Sequence, residues 1–400
     1  MVTARTPDSS YAWFRLTVSL ALAVIGGIGL WSAVVVLPTL QKDFGIDRAG
    51  ASLSYTVIMI GFGLGGIPAG RLLDRFGVTP PMIGAGIALA AGFMVDALAP
   101  NYTVFLISQG LLVGFLGCAV TFGPLVADVS HWFVKRRGIT VAIVASGNYI
   151  AGTLWPPILQ ACFTAYGWRA TYMGLGLFCV VTMVPLALLL RVHSPQIEAV
   201  GTAVKALKPR LPGLQALLVI AGLACCVAMS MPQVHIVAYC GDLGYGPARG
   251  AEMLSLMLGF GVLSRLVSGL VADRTSGMVT WIAGSFLQML ALIFYIPFDG
   301  LASLYVVSAL FGLAQGGIVP SYALVVRDYF PAREAGTRIS LILTATVLGM
   351  ALGGWMSGKI FDVTGSYQAA FLNGIVWNLL NLAIAGWVLL GGRRPRLAAV

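Results

Sequence analysis

Long apolar runs alternate with short polar connections along the whole chain. An α-helix needs about 20 apolar residues to cross the hydrocarbon core of a bilayer, so each run reads as one membrane span. Twelve runs occur, at about 14–40, 51–70, 80–97, 102–126, 138–162, 169–190, 211–239, 251–272, 278–297, 301–326, 335–360 and 367–390. The longest connection runs from about Arg191 to Pro212, holds Lys205, Lys208, Pro209 and Arg210, and divides the spans six and six. The pattern predicts an all-α membrane protein of twelve transmembrane helices in two pseudo-symmetric six-helix bundles. Residues 1–190 form the first bundle, 191–212 a cytoplasmic linker and 213–400 the second.

Composition removes the soluble alternatives. Charged residues make up 10% of the 400 positions and hydrophobic ones 58%, whereas a soluble domain carries about 25% charged residues. Mean hydropathy is +0.92. The net charge of +10 is spread over many connections, which argues against a nucleic-acid surface. Its distribution instead records topology. On the side of the two termini stand eighteen basic residues, among them Arg71, Arg75, Lys135, Arg136, Arg137 and Arg274. The opposite side has five: Lys42, Arg48, Arg169, Arg249 and Lys359. The positive-inside rule then places both termini in the cytoplasm, in an inner (plasma) membrane. The first apolar run is too long for a cleavable signal and is expected to stay as a helix. The six cysteines (118, 162, 179, 225, 226, 240) show no disulfide or metal spacing and read as packing residues.

The halves repeat. Gly70–Arg71–Leu72–Leu73–Asp74–Arg75 after the second run matches Gly269–Leu270–Val271–Ala272–Asp273–Arg274 after the eighth, at an offset of 199. A half-chain repeat of six spans suggests a binding site between two bundles. The Gly70…Asp74–Arg75–Phe76–Gly77 loop resembles the signature loop of the major facilitator superfamily. Within it, three segments resemble the monocarboxylate transporter and oxalate/formate exchanger branches. They are Trp132–Phe133 with Lys135–Arg136–Arg137–Gly138, Ser264–Arg265 with Gly269, and Gly358–Lys359–Ile360–Phe361–Asp362 with Thr364–Gly365–Ser366–Tyr367. The resemblance implies alternating access and a small organic anion as cargo.

Arg265 is the most informative residue. It lies inside the eighth run, where an arginine costs about 2.5–3.5 kcal/mol on insertion scales and marks function by default. Its guanidinium stays ionised and offers a fork of donors to a carboxylate. Gly261 and Gly269, one turn to either side, are expected to leave room for a ligand. Every acidic residue lies in or near a connection, so a ligand anion is the simplest counterion; a buried ion pair is the structural alternative. The absence of a mid-membrane acid also disfavours a drug/proton antiporter. Two departures stand out. The second cation usual in the eleventh helix of the oxalate branch has only Lys359 to answer it, at the outer end. Animal monocarboxylate carriers place an aspartate one turn before the arginine, where Gly261 stands here.

His235, in the seventh run, is a candidate for proton coupling, since imidazole titrates in the physiological range; a helix-packing role is equally open. Asn148, Tyr149, Gln315, Ser321, Tyr322 and Trp31 are candidates for lining the cavity. Gly70, Asp74, Arg75, Asp273 and Arg274 are candidates for conformational latches, their carboxylates meeting helix amino termini across the bundle interface. No phosphate-binding loop ending in Lys–Ser/Thr, metal cluster or nucleophile motif occurs. The chain is expected to be no enzyme, to need no cofactor or metal and to work as a monomer. Its expected function is proton-coupled symport of a small monocarboxylate, lactate- or pyruvate-like. The alternatives are anion exchange, drug antiport and a non-transporting receptor.

Overall fold

The computed structural model describes residues 7–192 and 213–391. Twelve helices among them are long and apolar enough to cross a membrane. These are α1 (Ser10–Phe44), α2 (Arg48–Phe76), α3 (Thr79–Ala97), α4 (Tyr102–Trp132), α5 (Gly138–Tyr166) and α6 (Trp168–Leu189). The second six are α7 (Leu214–Asp242), α8 (Pro247–Ala272), α9 (Gly277–Phe294), α10 (Leu301–Tyr329), α11 (Glu334–Thr364) and α12 (Tyr367–Gly391). Each contains most of one apolar run. The linker expected over 191–212 lies, apart from Arg191 and Val192, outside the described residues.

Short polar residues set several helix starts by satisfying backbone donors that have no partner within the helix. Asp47 accepts from the Gly50 N–H (2.7 Å) at the start of α2, and Asn101 from the Val104 N–H (3.0 Å) at the start of α4. The tight turns after α1 and α11 are made by Gly45 and Gly365, at φ +63° and +66°, a region glycine enters without steric cost.

Four helices are interrupted part-way: α1 at Gly27, α4 by a π-helical stretch Gln109–Cys118, α5 at Ser146 and α10 at Gly316–Gly317. Irregular backbone at membrane depth survives only where protein or a polar cavity covers it. These breaks therefore mark the interior, not the lipid surface.

The same pairs of helices pack in each half. α1 lies on α5 as α7 lies on α11, α2 on α4 as α8 on α10, and α3 on α6 as α9 on α12. The halves meet along two related seams, α2 with α11 and α5 with α8, and where α1 touches α7. Outward faces stay apolar and exposed, as at Ile67 (62%), Leu177 (67%) and Val376 (64%). Lipid, not water, is the solvent that such a surface fits.

The α2–α11 seam is made in the half far from the termini. There Gly358 sits against Ala49 and Ser52, Gly354 against Tyr55, and Thr56 Oγ1 donates to the Ala351 carbonyl (3.0 Å). Nearer the terminal face, Gly66 and Gly70 of α2 and Gly336 of α11 border open space. The contacts cited here that join α2 to α11 therefore lie toward the far face.

Candidate functional site

Arg265 stands where two interrupted helices meet α8. Its Nη1 donates to the Ala145 carbonyl (2.9 Å), at the end of the helical segment Arg137–Ala145 in α5. Its Nε donates to the Gly316 carbonyl (3.4 Å), at the break in α10. The guanidinium also lies 4.3 Å from the centroid of the Tyr149 ring, within range of a cation–π attraction. One side chain of the second half therefore holds α5 of the first. All these partners are neutral, and among the described residues no carboxylate comes within ion-pair distance of Arg265.

The space around it differs from the expectation on one side. A Cβ at Gly261 would meet Cδ1 and Cε1 of Tyr149 at 2.8 Å, so the tyrosine ring fills the room expected there. Gly269, one turn the other way, borders open space.

Gln315 joins this cluster. It is fully buried, and its Oε1 accepts from Nε2 of Gln233 on α7 (2.5 Å). Its own Nε2 is buried without a hydrogen-bond partner, beside Gly261. The unpartnered donor thus sits close to Tyr149 and Arg265. Asn148 borders a small cavity in the first half, lined also by Leu30, Phe62, Thr121 and Phe122.

The remaining candidates sit elsewhere. Trp31 is buried at the joint of α1 and α5, with Nε1 donating to the Asn148 carbonyl (3.0 Å). Ser321 donates to the Gly317 carbonyl (2.6 Å), and the Tyr322 hydroxyl donates to Asn381 Oδ1 on α12 (3.1 Å) with its ring against Trp281 of α9. Both face the interior of the second half. His235 is fully buried near the far end of α7, with Nδ1 3.0 Å from the Tyr367 hydroxyl and Nε2 2.7 Å from the Gly354 carbonyl.

Among the described residues, the signature loops show no interaction across the bundles. Asp74 is exposed and makes no hydrogen bond or ion pair among the described residues. Gly70 borders open space, Arg75 lies 5.0 Å from its neighbour Phe76, and Arg274 is exposed. The side chain of Asp273 lies outside the described residues.

Three polar clusters went unassigned by residue pattern alone. On the far face, Asp362 of α11 accepts from the Arg48 and Ala49 N–H groups at the start of α2 (2.9 and 2.7 Å). There too Arg48 donates to Asp242 (3.0 Å) and to the Tyr367 hydroxyl (2.8 Å). On the terminal side of the first half, Arg15 makes a buried two-point ion pair with Asp128 (2.7 and 2.8 Å) and donates to the Leu190 and Val192 carbonyls. Asp96, fully buried in α3, accepts from Gln109 Nε2. The signal for the first was present: Asp362 and Tyr367 fall in a segment that carried the family resemblance, without a role.

Among the described residues no group of three His, Cys, Asp or Glu side chains is placed to hold a metal. The profile of the Major Facilitator Superfamily matches residues 19–305 and 283–399. Monocarboxylate transporter 13 of Bos taurus is 26% identical over 378 residues, covering 92% of this chain and 87% of that protein. Monocarboxylate transporter 4 of Gallus gallus is 23% identical over 391 residues, covering 92% and 80%. Among solved structures, a bacterial homologue of the human lysosomal transporter Spinster, inward-facing and occupied, superposes with a TM-score of 0.75 at 14% identity, covering 96% of this chain and 98% of that one.

Proposed function

Because the chain belongs to the major facilitator superfamily, we propose that it is a secondary active transporter of small monocarboxylates, lactate- or pyruvate-like, moved with a proton by alternating access. The observation that carries the reading is Arg265: a guanidinium at the meeting of the two halves, with no carboxylate among the described residues beside it. An arginine at this depth needs a counterion, and a carboxylate matches its fork of donors. One cation favours a monoanion over a dianion. The free Gln315 Nε2 supplies a second donor for an oxygen of the cargo. Two relatives that are themselves monocarboxylate transporters support the same class.

By the excess of basic residues on the terminal face, that face is cytoplasmic, in a plasma membrane. Each chain carries both halves of the site, so a monomer suffices. The proton rides on the acid itself or on His235. Anion exchange is the second reading, favoured because none of the carboxylates described here stands beside Arg265 to relay a proton.

The test is uptake of a panel of labelled acids into proteoliposomes, with and without an inward proton gradient, for wild type and Arg265→Gln. Arg265→Gln should insert at least as well as wild type, because a desolvated charge has gone, and should lose uptake together with substrate-dependent thermal stabilisation. Arg265→Lys should also bind poorly, since lysine lacks the planar fork. Full uptake by a well-folded Arg265→Gln protein would remove the anion reading.

A further inference from the structure

The far-face seam contains a hydrogen-bonded chain whose direction is set at both ends. It begins at Arg48 of α2, in the first half. Arg48 Nη1 lies 2.8 Å from the Tyr367 hydroxyl of α12, Tyr367 lies 3.0 Å from His235 Nδ1 of α7, and His235 Nε2 lies 2.7 Å from the Gly354 carbonyl of α11. A guanidinium can only donate and a carbonyl can only accept. Hence Tyr367 accepts from Arg48, and His235 Nε2 must carry a hydrogen for Gly354. What remains is the link between the hydroxyl and Nδ1. Every hydrogen of the chain finds an acceptor in one way: Tyr367 donates and Nδ1 accepts, which requires a neutral imidazole.

A protonated His235 leaves this chain one acceptor short at that link. Nδ1 then carries a hydrogen that points at a hydroxyl already receiving one from Arg48, and the hydroxyl's own hydrogen loses its acceptor. A second positive charge is added within one residue of Arg48. The groups facing the ring are few. Tyr367 touches it from α12, Arg48 stands behind Tyr367 from α2, and Tyr239 lies on its own helix against Tyr367. The carboxylates Asp242 and Asp362 stand on the far side of Arg48: Asp242 takes its Nη2, and Asp362 takes the backbone N–H groups of Arg48 and Ala49. Neither is among the hydrogen-bond partners of the imidazole. Arg48 is the one member that belongs to the first half, so losing its hold on Tyr367 loosens the seam itself.

We propose that Arg48 and Tyr367 are coupling residues of transport: with His235 they form a relay that holds the far face closed while the imidazole is neutral and releases it when the imidazole takes a proton. The inference rests on alternating access and not on the chemical nature of the cargo. It gives His235 a place in the cycle that needs no contact with substrate, since the ring lies in the seam and away from Arg265. Arg48 and Tyr367 act through the histidine and the seam, so they are positioning residues.

The experiment uses purified full-length protein without substrate, so its result is independent of whether the cargo is a carboxylate. Ser52, fully buried in the seam against Gly358, is replaced by cysteine in a background of Cys162→Ala and Cys240→Ala. Its rate of reaction with a polar thiol reagent is divided by that of a cysteine at Leu98, 69% exposed on the far face, which removes the intrinsic pH dependence of the reagent. From about pH 8 down to about pH 4, a window that spans and passes below the range over which a free imidazole changes charge, the normalised rate should rise severalfold. In His235→Gln, whose amide can keep both neighbours, the rate should stay low and flat. In Tyr367→Phe the pH dependence should also vanish, because the link that protonation leaves short of an acceptor is already absent. That second variant carries the test if His235→Gln does not fold. A wild-type rate that ignores pH, or a pH dependence that survives either substitution, would overturn the relay.

Discussion

Gly261→Ala isolates the contact between α5 and α8 from every question about substrate. The added methyl would stand 2.8 Å from Cδ1 and Cε1 of Tyr149, well inside the 3.5–4.0 Å of ordinary carbon contact. The ring has little room to retreat, because Tyr149 is 8% exposed and Arg265 lies 4.3 Å from its centroid. Overpacking of this kind costs about 1–3 kcal/mol. The strain exists only while α5 and α8 are pressed together, which is the form closed on the far face. At about 1.4 kcal/mol per factor of ten, the balance should move about 5- to 150-fold toward the form open on that face. Spin labels at Tyr166 and Val363, exposed at the far ends of α5 and α11 (75% and 74%), would report it as a gain in the longer of two distances by pulsed electron resonance. Adding Tyr149→Leu, which withdraws the ring, should return the distribution toward that of wild type. An unchanged distribution in Gly261→Ala, or a shift indifferent to Tyr149→Leu, would refute the argument that this ring sets the seam.

Two other outcomes follow from the polar clusters. Asp128→Asn leaves the Arg15 guanidinium, 2% exposed, without its anion; breaking one side of a buried pair costs about 3–5 kcal/mol, so the purified protein should melt at a clearly lower temperature, and an unchanged melting point would deny the pair its role. Asp74→Asn removes nothing from the form described here, where Asp74 has no partner. Its effect of about 0.3–1 kcal/mol should fall on the opposite form alone and raise the share of molecules open on the terminal face, read from labels at Gly70 and Gly336; equal shares in mutant and wild type would reduce the loop to a simple turn.

The spans were legible because membrane helices are written in runs of apolar residues, and one period of the pattern determines one element. Arg265 was legible for the same reason inverted: a lone charge in such a run has no solvent to explain it. What surrounds it was not. Whether Gly261 faces a ligand or the Tyr149 ring depends on how far α5 approaches α8, a distance that no spacing along one helix encodes. Ser321 and Tyr322 have the polarity of cavity residues, but after the Gly316–Gly317 break in α10 Tyr322 meets Asn381 and Trp281 and Ser321 returns its hydroxyl to the Gly317 carbonyl. The bonds from Asp362 to the start of α2 join residues more than 300 positions apart. Only the packing of α2 on α11 brings them together, and that packing belongs to one of the two forms.

The two carbonyls that accept from Arg265 bear on the return stroke of the cycle. On the proposed function, a carrier that has delivered its cargo must swing back with the arginine still charged, and a bare guanidinium in a closing, water-poor seam would stall it. Ala145 and Gly316 stand in as acceptors at helix ends, so the unloaded carrier has a neutral way to occupy its own cation. Cargo would then enter by substitution, displacing these neutral partners and adding its charge. The gain on binding stays modest, which suits a site that must let go as readily as it takes hold. On the same proposal these acceptors would let the unloaded form reorient, the step that distinguishes net accumulation from obligatory exchange.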